Sequence, residues 1–275
     1  MVPFLTLAQI RSLLESYGAA PRKRWGQHFL FERALLGKIA AALQQEEPHV
    51  IEIGPGAGNL TSELLRAGRS VTAVEIDPVC AGYLSQFSDD RFTIIHADIL
   101  RRDMDRLCGD RPASLVANIP YNITSPIIRK AAASPWISEA VLLIQDDVAR
   151  RLTARPGEKL YGFLSVVTAL DFVTEKLFRV PASVFYPRPR VGSAVVRLQR
   201  RHDTYSAAQK GALTAAADGI FKYRRKRLVK ALRLGGFDFD VKAVEERFSP
   251  DLRGETLSVP QLVDLCRTIG TWPDG

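Results

Sequence analysis

Long apolar runs are missing from this chain of 275 residues, and no stretch reaches the roughly 20 residues that a bilayer-spanning helix needs. The amino terminus lacks the basic start, apolar core and small-residue cleavage site of a secretory signal. A soluble cytoplasmic protein with no membrane partner is therefore expected. Cysteine is scarce: Cys80, Cys108 and Cys266 stand far apart, odd in number and without a CxxC pair. Such spacing speaks against a disulfide framework or a zinc site. The four histidines show no ligand spacing, so no metal is expected. Internal repeats and low-complexity tracts are absent as well.

What remains is ordinary globular composition, 46% hydrophobic and 25% charged, in a chain long enough for one large domain and one small one. The charge balance is not ordinary. A net charge of +8 favours a polyanionic partner, nucleic acid or a membrane surface.

The first residues predict a helix: Thr6 is a good N-cap with Gln9 three residues on, Leu5 and Ile10 can form a hydrophobic staple, and Gly18 can end it. A basic arm carrying Arg22, Lys23 and Arg24 follows. Short β-rich runs then recur at 50–53, 71–74, 92–96, 115–117 and 140–144, separated by helical or loop segments, with later strands at 178–180 and 194–198. This alternation predicts an α/β fold with a mostly parallel sheet covered on both faces. Strand signals stop near residue 200. The expected division is residues 1–202, with the helix and basic arm in 1–30, and an all-helical domain at 203–275.

Four of the strand ends carry polar chemistry. Residues 50–53 run into Gly54-Pro55-Gly56-Ala57-Gly58-Asn59, a glycine turn that lets a ligand approach the backbone. A dinucleotide loop would place its third glycine where Asn59 stands, so the spacing favours a methyltransferase G-x-G-x-G loop over NAD binding. Glu75 ends the next strand, where a carboxylate can accept ribose hydroxyls, and Asp98 follows the strand after it. The fourth end is Asn118-Ile119-Pro120-Tyr121. An adenine N6 amine is a poor nucleophile because its lone pair is delocalised into the ring. Accepting hydrogen bonds from both its N–H groups frees that pair. The Asn118 side-chain oxygen can accept one and the Ile119 carbonyl the other, while Pro120 stiffens the turn and Tyr121 stacks on the base.

These residues together closely resemble the KsgA-type small-subunit rRNA adenine dimethyltransferases. The resemblance also covers Arg24-Trp25-Gly26-Gln27-His28-Phe29-Leu30, Tyr161-Gly162-Phe163-Leu164-Ser165 and Phe185-Tyr186-Pro187-Arg188-Pro189-Arg190-Val191-Gly192-Ser193. It implies a Rossmann-like class I methyltransferase with a seven-stranded sheet, using S-adenosylmethionine. It implies cofactor contacts at His28, Leu30, Gly54, Gly56, Gly58, Glu75, Asp98 and Asn118, with Phe185 facing Tyr121 across the base. The implied substrate is two adjacent adenines in the 3′-terminal hairpin of small-subunit rRNA, within a partly assembled (pre-30S) small subunit, and a monomer is expected. His28 stands where bacterial members usually have Asn, and Ile119 where Leu is usual.

Residues 222–233 contain Lys222, Arg224, Arg225, Lys226 and Arg227 and no acidic residue. Phe221, Leu228 and Leu232 fall at helical spacing, which predicts a helix with an exposed basic face for RNA phosphates. Three alternatives stay open on sequence alone: a large-subunit rRNA methylase, a non-catalytic assembly factor that kept the fold, and an NAD-linked oxidoreductase.

Overall fold

Val, Ile and Leu runs buried on both faces build the sheet that the alternation predicts. The computed structural model describes residues 1–22, 25–44, 49–119, 123–202 and 205–273. Among them the strands are β1 (Phe29–Leu30), β2 (His49–Ile53), β3 (Ser70–Glu75), β4 (Phe92–His96), β5 (Ala113–Asn118), β6 (Ile137–Gln145), β7 (Phe172–Val180), β8 (Phe185–Tyr186) and β9 (Ser193–Arg200). Seven form one sheet in the order β4-β3-β2-β5-β6-β9-β7. β4, β3, β2, β5 and β6 run parallel, and β9 pairs antiparallel to β6. The chain travels from β2 outward to β4, then restarts on the other side at β5. That reversal opens a crevice beyond the carboxyl ends of β2 and β5.

Every residue of β2 is buried. Each of its large apolar side chains contributes about 1.5–3 kcal/mol by leaving water. Helices Arg33–Ala41 and Asn59–Arg66 cover this part of the sheet, with Leu36, Ile39, Leu64 and Leu65 in the same core. Arg200, at the end of β9, closes another helix. Its guanidinium donates to the carbonyls of Ala131, Ser134 and Ile137 at 2.6–2.7 Å. Two of those carbonyls belong to the end of helix Thr124–Ala133, whose last carbonyls lack partners within the helix.

The first helix, Leu7–Ser16, has the expected reciprocal cap: Thr6 Oγ1 accepts from the Gln9 N–H, and the Gln9 side chain accepts from the Thr6 N–H. Leu5 and Ile10 share a buried cluster, and Gly18 follows with φ 59°. Asn59 ties this segment to the glycine loop. Its Oδ1 accepts from the Leu5 N–H at 2.7 Å, and its Nδ2 donates to the carbonyls of Leu5 and Leu30 at 2.9 and 3.0 Å.

Two compact units emerge: Met1–Ala149 with Glu175–Arg200, and Arg150–Thr174 with Arg201–Gly275. The change at residue 200 agrees with the composition shift. Residues 150–174, which the sequence reading left in the larger domain, lie in the second unit. The physical reason is the second core, where Tyr161, Val166 and Leu170 pack with Leu213, Ile220, Leu262 and Cys266. The Tyr161 hydroxyl donates to the Leu257 carbonyl at 2.9 Å.

One expected helix is not continuous. Helix Ala207–Lys222 stops, a turn follows, and helix Leu228–Leu234 begins. The break is fixed by the Leu228 N–H, which donates to the Leu252 carbonyl at 2.7 Å, and by a bridge between Arg227 and Arg253. Gly254 makes the close approach possible, since a Cβ there would meet Ile220 at 1.7 Å.

Asn59→Ala would leave one donor and two acceptors buried without partners. It should cost about 2–4 kcal/mol in urea unfolding and free the first 30 residues for limited proteolysis; wild-type stability and digestion would exclude this role.

Candidate active site

The crevice begins at the glycine loop. Beyond Ile53 the chain turns back on itself, with the Gly54 N–H donating to the Val74 carbonyl at 2.9 Å. Gly56 has φ 56° and Gly58 φ 86°, conformations that side chains resist. Space is short as well. A Cβ at Gly58 would lie 2.7 Å from Leu84 and 2.8 Å from Val2, and one at Gly56 would lie 3.1 Å from the Phe29 ring. Gly58 caps helix Asn59–Arg66, whose positive end therefore faces the crevice.

Glu75 closes the loop from β3. One carboxylate oxygen accepts from the Gly56 N–H at 2.9 Å and the other from the Asp77 N–H at 2.8 Å. Glu75 is 4% exposed. Burial pushes its pKa above the usual carboxylate range, opposed by those N–H bonds. Each oxygen keeps a second lone pair with which to accept a ligand hydroxyl. Asp98 follows β4 and caps the short turn Ile99–Arg101 through the Leu100 N–H, with Arg101 3.8 Å from its other oxygen.

Three neighbours were not read as site residues from sequence. Asp77 accepts from Gln27 Nε2 at 2.6 Å, and Gln27 Oε1 accepts from the Arg22 N–H at 2.8 Å, which fastens the basic arm to the end of β3. Glu52, in β2, is 1% exposed and accepts from the Thr61 hydroxyl at 2.6 Å. Burial lifts its pKa to about 8, and the negative charge of Glu75 adds to the rise. A carboxylate inside a strand gave no periodic signal. For Asn59 a signal did exist, an amide where a dinucleotide loop has glycine.

At the end of β5, Asn118 Nδ2 donates to the His28 carbonyl at 2.8 Å. A carbonyl can only accept, so the amide nitrogen must face it. The Asn118 Oδ1 is thereby turned away from His28 as an acceptor. The Ile119 N–H donates to the Leu143 carbonyl at 3.0 Å, which anchors the start of the tetrapeptide. Pro120 and Tyr121 lie outside the described residues. His28 has a second tether: its Nδ1 sits 2.6 Å from the Pro187 carbonyl and donates to it. Around this contact β1 pairs with β8, Phe29 opposite Tyr186 and Leu30 opposite Phe185, a two-residue ladder too short to read as a pattern.

Phe185 is 5% exposed and packs with Leu30, Leu143, Val180 and Val195, of which Leu30 and Leu143 line the cavity; Tyr121, its expected partner across the base, lies outside the described residues. The cations of the basic run are mostly exposed, and three of them make ion pairs. Lys222 pairs with Asp218, Arg224 with Glu255 and Arg227 with Asp251, at 2.5, 2.7 and 2.9 Å. Arg224 also donates to the Lys159 carbonyl. Glu255 and Asp251 come from elsewhere in the chain, which local composition does not reveal, whereas Asp218 lies one turn before Lys222 on the same helix. Arg225 and Lys226 are exposed. In the arm, the Arg22 guanidinium lies 4.6 Å from the centre of the Trp25 ring, and Lys23 and Arg24 lie outside the described residues.

One cavity of about 990 Å³, counted out to its open mouth, joins these parts. Its walls include Gln27, His28, Leu30, the glycine loop, Glu75, Asp98 and Asn118, with Leu36, Ile39 and Leu60 as apolar wall. A glycine cradle free of side chains, a buried acceptor at the second strand end and a half-exposed one at the third fit a nucleoside with ribose hydroxyls and an exocyclic amine. The sheet order, this cradle and the two acids define a Rossmann-like methyltransferase that uses S-adenosylmethionine.

The comparisons narrow the class. Residues 18–266 match the model for ribosomal RNA adenine dimethylase, and the chain belongs to that family. It is 37% identical to ribosomal RNA small subunit methyltransferase A of Acidothermus cellulolyticus, over 96% of this chain and 94% of that one. It is 41% identical to the protein of the same name from Synechococcus sp. (strain JA-3-3Ab), over 89% and 91%. Among solved structures it resembles the 23S rRNA methyltransferase ErmE, with a TM-score of 0.70 and 26% identity over 88% of this chain and 99% of that one.

The pKa of Glu52 predicts a pH effect with a definite sign. Folding takes up a proton between the ordinary carboxylate value of 4.5 and about 8, so stability is full below that window and falls as pH rises through it. Glu52→Gln removes the penalty. Its melting temperature should gain on wild type steadily from about pH 5 to about pH 8 and then hold that lead; profiles parallel throughout would show that Glu52 titrates normally.

Proposed function

We propose that this chain dimethylates the N6 amines of two adjacent adenines in the 3′-terminal hairpin of small-subunit rRNA, acting as a monomer on a partly assembled subunit in the cytoplasm. The observation that carries the reading is the Asn118 amide, held nitrogen-inward by the His28 carbonyl so that its oxygen is left as the acceptor. The small-subunit assignment is supported by 37–41% identity to proteins named for that subunit, against 26% for the large-subunit enzyme.

S-adenosylmethionine supplies a methyl group on a positively charged sulfur, a strong electrophile. Glu75 would hold its ribose hydroxyls and Asp98 its adenine amine, with Gly54, Gly56 and Gly58 letting the backbone come close. His28 and Leu30 line the same cavity. The rest is the work of this chain on its substrate. Asn118 Oδ1 accepts one N–H of the target amine and the Ile119 carbonyl the other, so the nitrogen becomes more tetrahedral and its lone pair is aimed outward. Pro120 limits the freedom of that carbonyl, and Tyr121 stacks on the base. Alignment and fixed dipoles carry the rate, and the amine proton leaves to water after attack.

The RNA is held in part by the second unit, which contains 17 Lys and Arg against 12 Asp and Glu, net +5 of the total +8. Because Lys222, Arg224 and Arg227 already have acidic partners, Arg225, Lys226, Lys230 and Arg233 are the members of the run that release counterions from RNA.

Asn118→Ala should lower methyl transfer roughly 10²–10³-fold with RNA affinity unchanged. Mapping N6-dimethyladenine on rRNA from cells with and without the protein tests the substrate. Marks that appear on large-subunit RNA, or wild-type turnover by the variant, would overturn the reading.

A further inference from the structure

The turn between β8 and β9 has no part in the chemistry above, yet it is tied to the acceptor residue. It carries Arg188 and Arg190, both exposed, and among the described residues neither makes an ion pair or a side-chain hydrogen bond. The lysine and arginines of the second unit's run contrast with them, three being neutralised within the chain. Between the two arginines Pro189 is buried, and beside them Val191 is 46% exposed. Both ends of the turn are fastened. The Pro187 carbonyl accepts from His28 Nδ1 at 2.6 Å, and the Gly192 carbonyl accepts from the Asp146 N–H at 3.0 Å. His28 in turn holds Asn118 through its own carbonyl. Two hydrogen bonds therefore separate the acceptor amide from the arginine turn.

A surface arginine in a floppy loop is ordinarily just solvated. Here two unneutralised guanidinium groups flank a buried proline on a segment pinned at both ends and hydrogen-bonded to His28, which lines the cavity. A guanidinium fork matches phosphate oxygens, and a cation with no partner in the protein loses no ion pair when it binds one. We propose that residues 187–192 form a phosphate-binding rim in which Arg188 and Arg190 grip the RNA backbone beside the target adenine, a contact separate from the basic run of the second unit. The proposal rests on the reading of RNA as substrate. It adds that the catalytic unit itself fixes the strand locally, so that the second unit need supply only general affinity.

Equilibrium binding of the full chain to an adenine-containing single-stranded RNA, measured by fluorescence anisotropy over a salt series, tests this without requiring methyl transfer. Arg188→Gln with Arg190→Gln should reduce the slope of log affinity against log salt by about 1.4, the value for two lost phosphate contacts on a single strand, and weaken low-salt binding roughly tenfold. Arg188→Lys with Arg190→Lys should keep the slope. Melting temperature and S-adenosylmethionine affinity should match wild type in both. A wild-type slope in the Gln pair overturns the proposal. So does a loss of cofactor affinity, which would mean that the turn acts through His28 on the cavity. Methyl groups found on another RNA would remove the small-subunit reading alone and leave the slope to judge the rim.

Discussion

Parallel strands all end on the same side, and that constraint governs the whole site. A loop, two carboxylates and an amide come from four separate stretches of sequence, and nothing local brings them together. The sheet does, because β2, β3, β4 and β5 hydrogen-bond in parallel and deliver their carboxyl ends to one edge. The reversal of strand order between β2 and β5 then leaves the edge open at one place. Everything else adjusts that opening: Asn59 draws the N-terminal segment across it, Gln27 fastens the arm to Asp77, and His28 joins the arm to Asn118.

The buried acids give the opening its electrical character. Glu52 and Glu75 are both withdrawn from water; the charge of Glu75 raises the cost of ionising Glu52, and that of Asp77 raises the cost of ionising Glu75. Two backbone N–H groups on Glu75 and one hydroxyl on Glu52 offset part of that cost. Such a pocket favours a ligand that brings hydroxyl donors and positive charge, since both lower the free energy of a carboxylate held in a poor solvent. The conformations imposed on Gly56 and Gly58 belong to the same design, for they let the backbone donate where a side chain would stand in the way.

Much of this was legible beforehand. Strand positions followed from β-rich runs, and the order of glycine loop, Glu75, Asp98 and Asn118 followed from where those runs end. What escaped was whatever depends on partners distant in sequence. The pairing of β1 with β8 involves two residues a side, too few for any periodicity. The ladder contact that sets Phe185 opposite Leu30, a residue of the cavity wall, joins stretches more than 150 residues apart and left no local trace. The ion pairs of Arg224 and Arg227 escaped because Glu255 and Asp251 lie some 24–31 residues further along the chain. Residues 150–174 sit among strand segments in sequence, yet their apolar side chains complete another core.

The bond that aims Asn118 has a consequence for how the protein can change over time. Its acceptor is the main-chain oxygen of residue 28, an atom present in every amino acid. The identity of that residue is therefore uncoupled from the orientation of the Asn118 amide, provided the backbone keeps its course between Gln27 and Phe29. Its side chain answers to other demands, among them the bond to the Pro187 carbonyl and a place in the cavity wall. Position 28 can drift between histidine and asparagine while the amide it orients stays fixed in place, so variability there is no sign of a weakened site.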